Sequence, residues 1–141
     1  MRFPDVTVAR SIPPNPTGES IPAELDARLA VIETRASRAG AAFVADTAAS
    51  RSLALAARGA SVESDRWAAA QLQLAQLGAH HDAASLALAD LDILAASARM
   101  AQATPEDLEV ISAMQLEIGA QVDEQAQILG QINAQLGNTN R

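Results

Sequence analysis

Three long segments of this chain repeat apolar residues at alternating spacings of four and three positions. The spacing is kept through residues 25–57, 67–98 and 108–136, although a few of its positions hold polar residues. A heptad pattern of this kind places one apolar stripe along one face of an α-helix, whereas the side chains of a β-strand alternate with a period of two. The pattern therefore predicts three amphipathic helices of the kind found in coiled coils and helical bundles.

The composition favours the same fold class. Hydrophobic residues make up 49% of the chain, and Ala is the commonest of them. The aromatic residues are limited to Phe3, Phe43 and Trp67. Ala is the strongest helix former and is small enough to let helices approach closely, while β-branched residues, which favour strands, are sparse here. The chain is predicted to be all-α.

Residues that favour helix ends separate the three segments. Gly59 can adopt the left-handed conformation that often follows a helix C-terminus. Ser61 or Ser64 can accept a hydrogen bond from the free N–H groups at the start of the second helix. The stretch 104–107, Thr-Pro-Glu-Asp, combines a capping hydroxyl, a proline for the first helical position and two acids near the positive end of the helix dipole. The predicted helices span about 22–58, 62–102 and 105–136.

These lengths and short connectors predict an elongated antiparallel three-helix bundle, with residues 21–138 forming one domain. The alternative is a bundle of four or five shorter helices, with breaks near Gly40 or 47–52 and near Gly78. The unbroken helices are preferred because the heptad phase is kept across both glycines, and an intervening loop would have no reason to keep it.

Residues 1–20 form a separate, proline-rich segment that holds four of the six prolines. Proline fixes an extended backbone and blocks helix formation, so an extended or disordered arm is predicted. The alternative is that Val6-Thr7-Val8 forms a short strand against a partner. The segment has no continuous apolar run of the kind found in a secretion signal, and the compartment is left open between cytoplasm and periplasm.

The net charge of −7 is concentrated in the second half of the chain. Residues 1–66 carry eight Arg and eight acids, whereas residues 67–141 carry two Arg and nine acids. An acidic half repels phosphate, so binding to nucleic acid or to an anionic membrane surface is not expected. The longest apolar stretch, residues 83–98, is too short to span a bilayer and is interrupted by Asp90 and Asp92.

The two histidines, His80 and His81, are the only imidazoles in the chain, and it contains no cysteine. Two helical ligands for one metal ion belong three or four positions apart, whereas adjacent residues point about 100° apart. No carboxylate lies three or four positions from either histidine. The sequence therefore predicts no metal site, no cofactor and no catalytic centre, and the protein is not expected to be an enzyme.

His81 lies on the apolar stripe of the second helix, which predicts a place in the core. Antiparallel pairing places it near Phe43 of the first helix and Gln125 of the third, and buried polar groups require such partners. Asp46 and Gln115 also lie on apolar stripes, so they complete the predicted core polar layer of His81, Gln125, Asp46 and Gln115. A layer of this kind usually fixes register. His80 is expected to point towards the edge of the bundle and to be solvated.

The second helix carries an additional apolar line on the side away from its main stripe. Its large residues, at multiples of seven positions, are Leu72, Leu86, Ile93 and Met100. A peripheral helix needs only one apolar stripe, so a second one indicates either that another helix of the chain covers it or that it is an interface with a second copy or another helical protein; the interface is preferred. The sequence therefore favours a non-catalytic helical interaction or scaffolding protein that self-associates. The alternative is a small-ligand-binding or sensor domain built around His81 and Gln125.

Overall fold

The structure is a computed structural model that describes residues 20–137, with side chains from residue 23 onward. It contains three helices, α1 (Ser20–Ala56), α2 (Asp65–Met100) and α3 (Pro105–Gly137). No strand occurs among the described residues. The predicted all-α class and three-helix bundle are confirmed, while the predicted proline-rich arm lies outside the described residues.

Each helix is continuous, and at 1.5 Å per residue each is roughly 50–55 Å long. The helical backbone runs through Gly40 and Gly78, so the alternative with four or five shorter helices is wrong. Ser64 caps α2 by accepting a hydrogen bond from the Trp67 N–H at 3.2 Å. Thr104 caps α3 in the same way, with the Asp107 N–H at 3.1 Å from its hydroxyl oxygen.

The turn after α2 explains why this helix ends before the expected residue 102. Gln102 has a φ of 59°, the left-handed conformation that normally favours glycine. The Ala103 N–H donates to the Ala98 carbonyl at 2.9 Å and the Gln102 N–H donates to the Arg99 carbonyl at 3.0 Å. These two bonds form a Schellman motif, so the local hydrogen bonding stops the helix even though a glutamine occupies the left-handed position.

The helices pack antiparallel in sequence order, with the most extensive contact between α1 and α2 and the least between α1 and α3. The largest core cluster joins the first part of α1, the last part of α2 and the first part of α3. Its buried members are Leu25, Leu29, Ile32, Ala36, Ala87, Leu91, Leu94, Ala95, Ala98, Ile111 and Ile118. The apolar stripes therefore form the core.

Two smaller clusters fill the opposite half of the bundle. One contains Phe43, Leu77 and Ile132 among its buried members, and the other is centred on Ala57 and Leu136. Between the largest cluster and the Phe43 cluster, the buried residues are small or polar, namely Ala39, Ala84 and Gln125. The middle of the bundle is therefore its least apolar section.

Candidate functional site

His81 and Gln125 meet in this middle section, where α2 faces α3. The Nδ1 atom of His81 lies 3.3 Å from Oε1 of Gln125, a contact in which the imidazole N–H donates to the amide oxygen. Gln125 is only 4% exposed, and His81 is partly buried. The hydrogen bond satisfies the amide oxygen of a buried side chain, which would otherwise be left without a partner.

His80 lies at the partly exposed edge of the bundle, as expected, but it pairs with the first helix and is not fully solvated. Its Nε2 lies 2.8 Å from Oδ2 of Asp46, and the two side chains are 28% and 36% exposed. Asp46 is therefore placed at the boundary of the core and beside His80, rather than within the layer around His81. The adjacent histidines bind α2 to both of its neighbours.

Gln115 lies outside this layer. Its Nε2 donates to Oδ1 of Asp92 at 2.8 Å, in a contact at the surface between α2 and α3. It is separated from Gln125 by ten positions, about 15 Å along α3. Of the four residues predicted for the polar layer, the structure brings together only His81 and Gln125, because Asp46 faces His80 and Gln115 faces Asp92.

A further polar contact connects α3 to the backbone of α1. Gln121 Nε2 donates to the Ala36 carbonyl at 2.9 Å. A Cβ atom at Gly40 would lie 3.0 Å from that nitrogen, so the absence of a side chain at Gly40 leaves room for the glutamine. The sequence did not predict this contact, because a glycine within a helical segment does not show which neighbouring side chain occupies the space beside it.

The carboxylate of Asp46 orients the imidazole of His80, as an aspartate does in the catalytic triads of serine hydrolases. Within residues 23–137, no serine or threonine hydroxyl is hydrogen-bonded to either histidine. The same residues include no group of three or more His, Asp or Glu side chains placed to hold a metal ion. Both histidines therefore take part in hydrogen bonds between helices.

The additional apolar line of α2 is exposed over its whole length. We call Leu72, Leu86, Ile93 and Met100 the outer line; their exposed fractions lie between 61% and 86%. Neither α1 nor α3 covers these side chains. The outer line is therefore the largest set of unburied apolar side chains that follows a single repeat in the described residues.

Part of the outer line borders a groove between α1 and α2. One section of about 440 Å³ is lined by Val31 and Ile93, and a second section of about 370 Å³ is lined by Ala42 and Leu86. Between these sections, Arg35 Nη1 lies 2.6 Å from Oδ2 of Asp90. We call the surface on both sides of this groove the α1–α2 face. Its apolar residues are the outer line with Ala27, Val31, Ala42 and Ala83. Its charged residues at the groove are Glu24, Arg28, Arg35, Arg38 and Asp90.

A second groove lies between α1 and α3, where these two helices make their least extensive contact. It measures about 640 Å³, and Phe43, Val44 and Ile128 supply apolar walls. Gln121 and Gln125 also line it. The groove therefore reaches the polar layer between α1 and α3, and not through the α1–α2 face.

Two further findings bear on what kind of protein this is. None of the three described helices combines the length and the hydropathy needed to cross a membrane. No family model, no curated protein and no solved structure matches this chain.

Proposed function

We propose that this protein is a non-catalytic helical interaction or scaffolding protein that self-associates, and that the α1–α2 face is its interface. The observation that carries the proposal is the exposure of the outer line, of which even the least exposed member, Leu86, is 61% exposed. Monomeric proteins rarely leave large apolar side chains in one continuous surface without a binding role.

The free energy available from covering this surface is substantial. Each large apolar side chain that moves from water into an interface contributes about 1.5–3 kcal/mol. Val31 of α1 is 57% exposed and borders the same groove as Ile93, so a partner helix lying in the groove would bury side chains from both helices. Ala27 and Ala42 on α1 are small enough to let such a helix approach closely.

The test is the double substitution Leu86→Asp and Ile93→Asp in the 141-residue chain. We expect the unsubstituted protein to be oligomeric by light scattering, and the double variant to be a monomer with the same helical circular dichroism, because both side chains project into solvent within one chain. The matched control is Val44→Asp with Leu55→Asp, which adds the same charge at exposed apolar positions away from this face. The control should assemble as the unsubstituted protein does.

Two results would contradict the proposal. A protein that stays monomeric at concentrations up to the millimolar range has no self-association to explain. Equal loss of assembly in the control variant would show that added charge, and not the α1–α2 face, governs association.

A second candidate function is a small-ligand-binding or sensor domain. Its support is the groove of about 640 Å³ between α1 and α3, which combines apolar walls with the amides of Gln121 and Gln125, as ligand sites commonly do. The probe is 1-anilinonaphthalene-8-sulfonate, whose fluorescence rises in apolar sites. If the dye binds in this groove, Ala48→Phe, which fills the groove, should abolish its saturable binding. If Leu86→Asp abolishes the binding instead, the dye occupies the α1–α2 face and the ligand site is not supported.

A further inference from the structure

We propose that the groove between α1 and α3 binds an uncharged, largely apolar molecule whose carbonyl oxygen accepts a hydrogen bond from the side-chain amide of Gln125. We call this groove of about 640 Å³, with Phe43, Val44, Ile128, Gln121 and Gln125 among its walls, the α1–α3 groove. The inference rests on the second candidate function, a ligand-binding domain, and names the chemical class of the ligand. It is independent of self-association, because none of these residues belongs to the α1–α2 face.

The α1–α3 groove exists because α1 presents small residues to α3. Gly40, Ala41 and Ala48 line the groove from the α1 side, and α1 and α3 make the least extensive of the three helix contacts. The lining residues of α1 run from Ser37 to Arg51, which corresponds to about 21 Å along the helix. A cleft of this volume and length is in the range of sites that hold small ligands.

Gln125 is the polar group that reaches this groove from the core. Its side chain is 4% exposed, and its Oε1 lies 3.3 Å from Nδ1 of His81. Its Nε2 has no hydrogen-bond partner among residues 23–137. Within the same residues, the only enclosed side-chain nitrogen or oxygen without a partner is Nε1 of Trp67, so Nε2 of Gln125 is not enclosed and opens onto the groove that Gln125 lines.

His81 fixes which end of this amide is left to an occupant of the groove. A glutamine amide has an oxygen that accepts and a nitrogen that donates two N–H groups. The N–H of His81 on α2 occupies the oxygen, so the free group is the donor. A donor in a nearly buried position costs free energy when it has no acceptor. The amide of Gln125 is therefore a positioned donor for a ligand acceptor.

The walls beside this donor are apolar. Phe43 is 2% exposed and joins the groove to the core, whereas Val44 is 74% exposed and Ile128 is partly buried. A ligand with an apolar body would remove Val44 and Ile128 from water while its acceptor reaches Gln125. Such sites combine apolar walls with a small number of polar groups that fix the orientation of the ligand.

The charges around the groove favour an uncharged ligand. Arg51 and Glu124 line it, both are exposed, and they carry opposite signs. The guanidinium of Arg51 lies 3.5 Å from Oε1 of Gln131, which is about 9 Å beyond Gln125 along α3. A ligand carboxylate placed against the neutral amide of Gln125 would therefore lose hydration without gaining a counter-ion beside it. The carbonyl of a ketone, ester or amide accepts the hydrogen bond without that cost.

The probe is 6-propionyl-2-(dimethylamino)naphthalene, an uncharged aromatic ketone. Its fluorescence rises in apolar sites and shifts to longer wavelength when the carbonyl accepts a hydrogen bond. The comparison probe is 2-(dimethylamino)naphthalene, which has the same rings and no carbonyl. We expect the ketone to bind saturably at one site per copy of the 141-residue chain, and Ala48→Phe to abolish this binding by filling the groove. The comparison probe should bind about tenfold more weakly, because it leaves the donor of Gln125 unpaired.

Gln125→Met tests the hydrogen bond itself, because methionine is close to glutamine in size and donates no hydrogen bond. It should weaken binding of the ketone about tenfold, move the emission of the bound ketone to shorter wavelength and leave binding of the comparison probe unchanged. The matched control is Gln127→Met, at an exposed position of the same helix outside the groove, which should change none of these quantities.

Circular dichroism verifies that each variant is folded. If Gln125→Met is not, Gln125→Glu replaces it, because a carboxylate still accepts the N–H of His81 and, when ionised at pH 8, donates no hydrogen bond. The same loss of affinity for the ketone and the same shift of its emission are expected.

The outcomes separate the ligand class from the groove. If Ala48→Phe abolishes binding of the ketone but the Gln125 variant weakens both probes equally, or neither of them, the carbonyl ligand is overturned while the second candidate function stands. If the ketone does not bind and 1-anilinonaphthalene-8-sulfonate occupies the groove, the uncharged class is wrong and the groove again stands. If Ala48→Phe changes the binding of none of these dyes, both the ligand class and the second candidate function fail.

Discussion

Two sides of α2 repeat apolar residues every seven positions, and the bundle buries only one of them. On the inner side, Leu77, Ala84 and Leu91 are completely buried. On the outer line, Leu86 and Ile93 are 61% and 66% exposed. The two sides have similar hydrophobicity, so apolar character alone does not decide which side becomes core.

Residue size offers a physical explanation for the difference. The inner side alternates small and large residues, and its small members let α1 and α3 approach α2 closely while the large ones fill the spaces between them. The outer line carries Leu72, Leu86, Ile93 and Met100 with only one small residue, Ala79, among them. In a three-helix bundle each helix has two neighbours. Both neighbours of α2 pack against its inner side, so no helix of the same chain is left to cover the outer line.

The largest expected effect is the difference in the free energy of unfolding between Leu91→Ala and Ile93→Ala. Leu91 is fully buried, so removing its side-chain atoms should lower the free energy of unfolding by about 2–5 kcal/mol. Ile93→Ala should change it by less than about 0.5 kcal/mol, because the side chain is exposed. Urea unfolding at a concentration where the chain is monomeric measures both, and similar losses would mean that the outer line is covered within one chain.

A smaller effect should distinguish the two histidines. Gln125→Leu removes the acceptor of the His81 N–H and should cost about 1–3 kcal/mol, whereas adding His81→Leu should recover much of that loss because no polar group is then left unpaired. His80→Leu should cost about 1 kcal/mol or less, since its contact with Asp46 is partly solvated. A double-mutant cycle gives the coupling. If the losses in the free energy of unfolding for Gln125→Leu and His81→Leu simply add, the hydrogen bond between these two side chains does not contribute to stability.

The smallest effect concerns two helical glycines. A Cβ atom at Gly78 of α2 would meet nothing within 4 Å, so Gly78→Ala should raise the free energy of unfolding by about 0.5–1 kcal/mol through better helix propensity. Gly40→Ala should gain less, because the added Cβ would displace the Gln121 amide that binds the α1 backbone. Thermal unfolding of both variants provides the comparison, and an equal gain would show that the Gln121 contact contributes nothing.

Part of the candidate site follows from the heptad pattern and part does not. The position of His81 on the stripe and the antiparallel order of the helices were enough to place it opposite Gln125. The partner of His80 was not predictable in the same way, because residues at the edge of a stripe face a neighbour or solvent depending on how far each helix is rotated. The contact between Asp46 and His80 is the outcome of that rotation.

The sequence by itself determined the number of helices, their order, their capping residues and the stripes that form the core. These properties depend on backbone propensity and on the 3.6-residue period, both of which act within a single segment. Only the tertiary structure decided that the outer line stays exposed, that Gly40 accommodates Gln121 and that Arg38 lies unpaired beside Leu86. These features depend on the rotation and axial shift of one helix against another, and packing across the whole bundle sets those quantities.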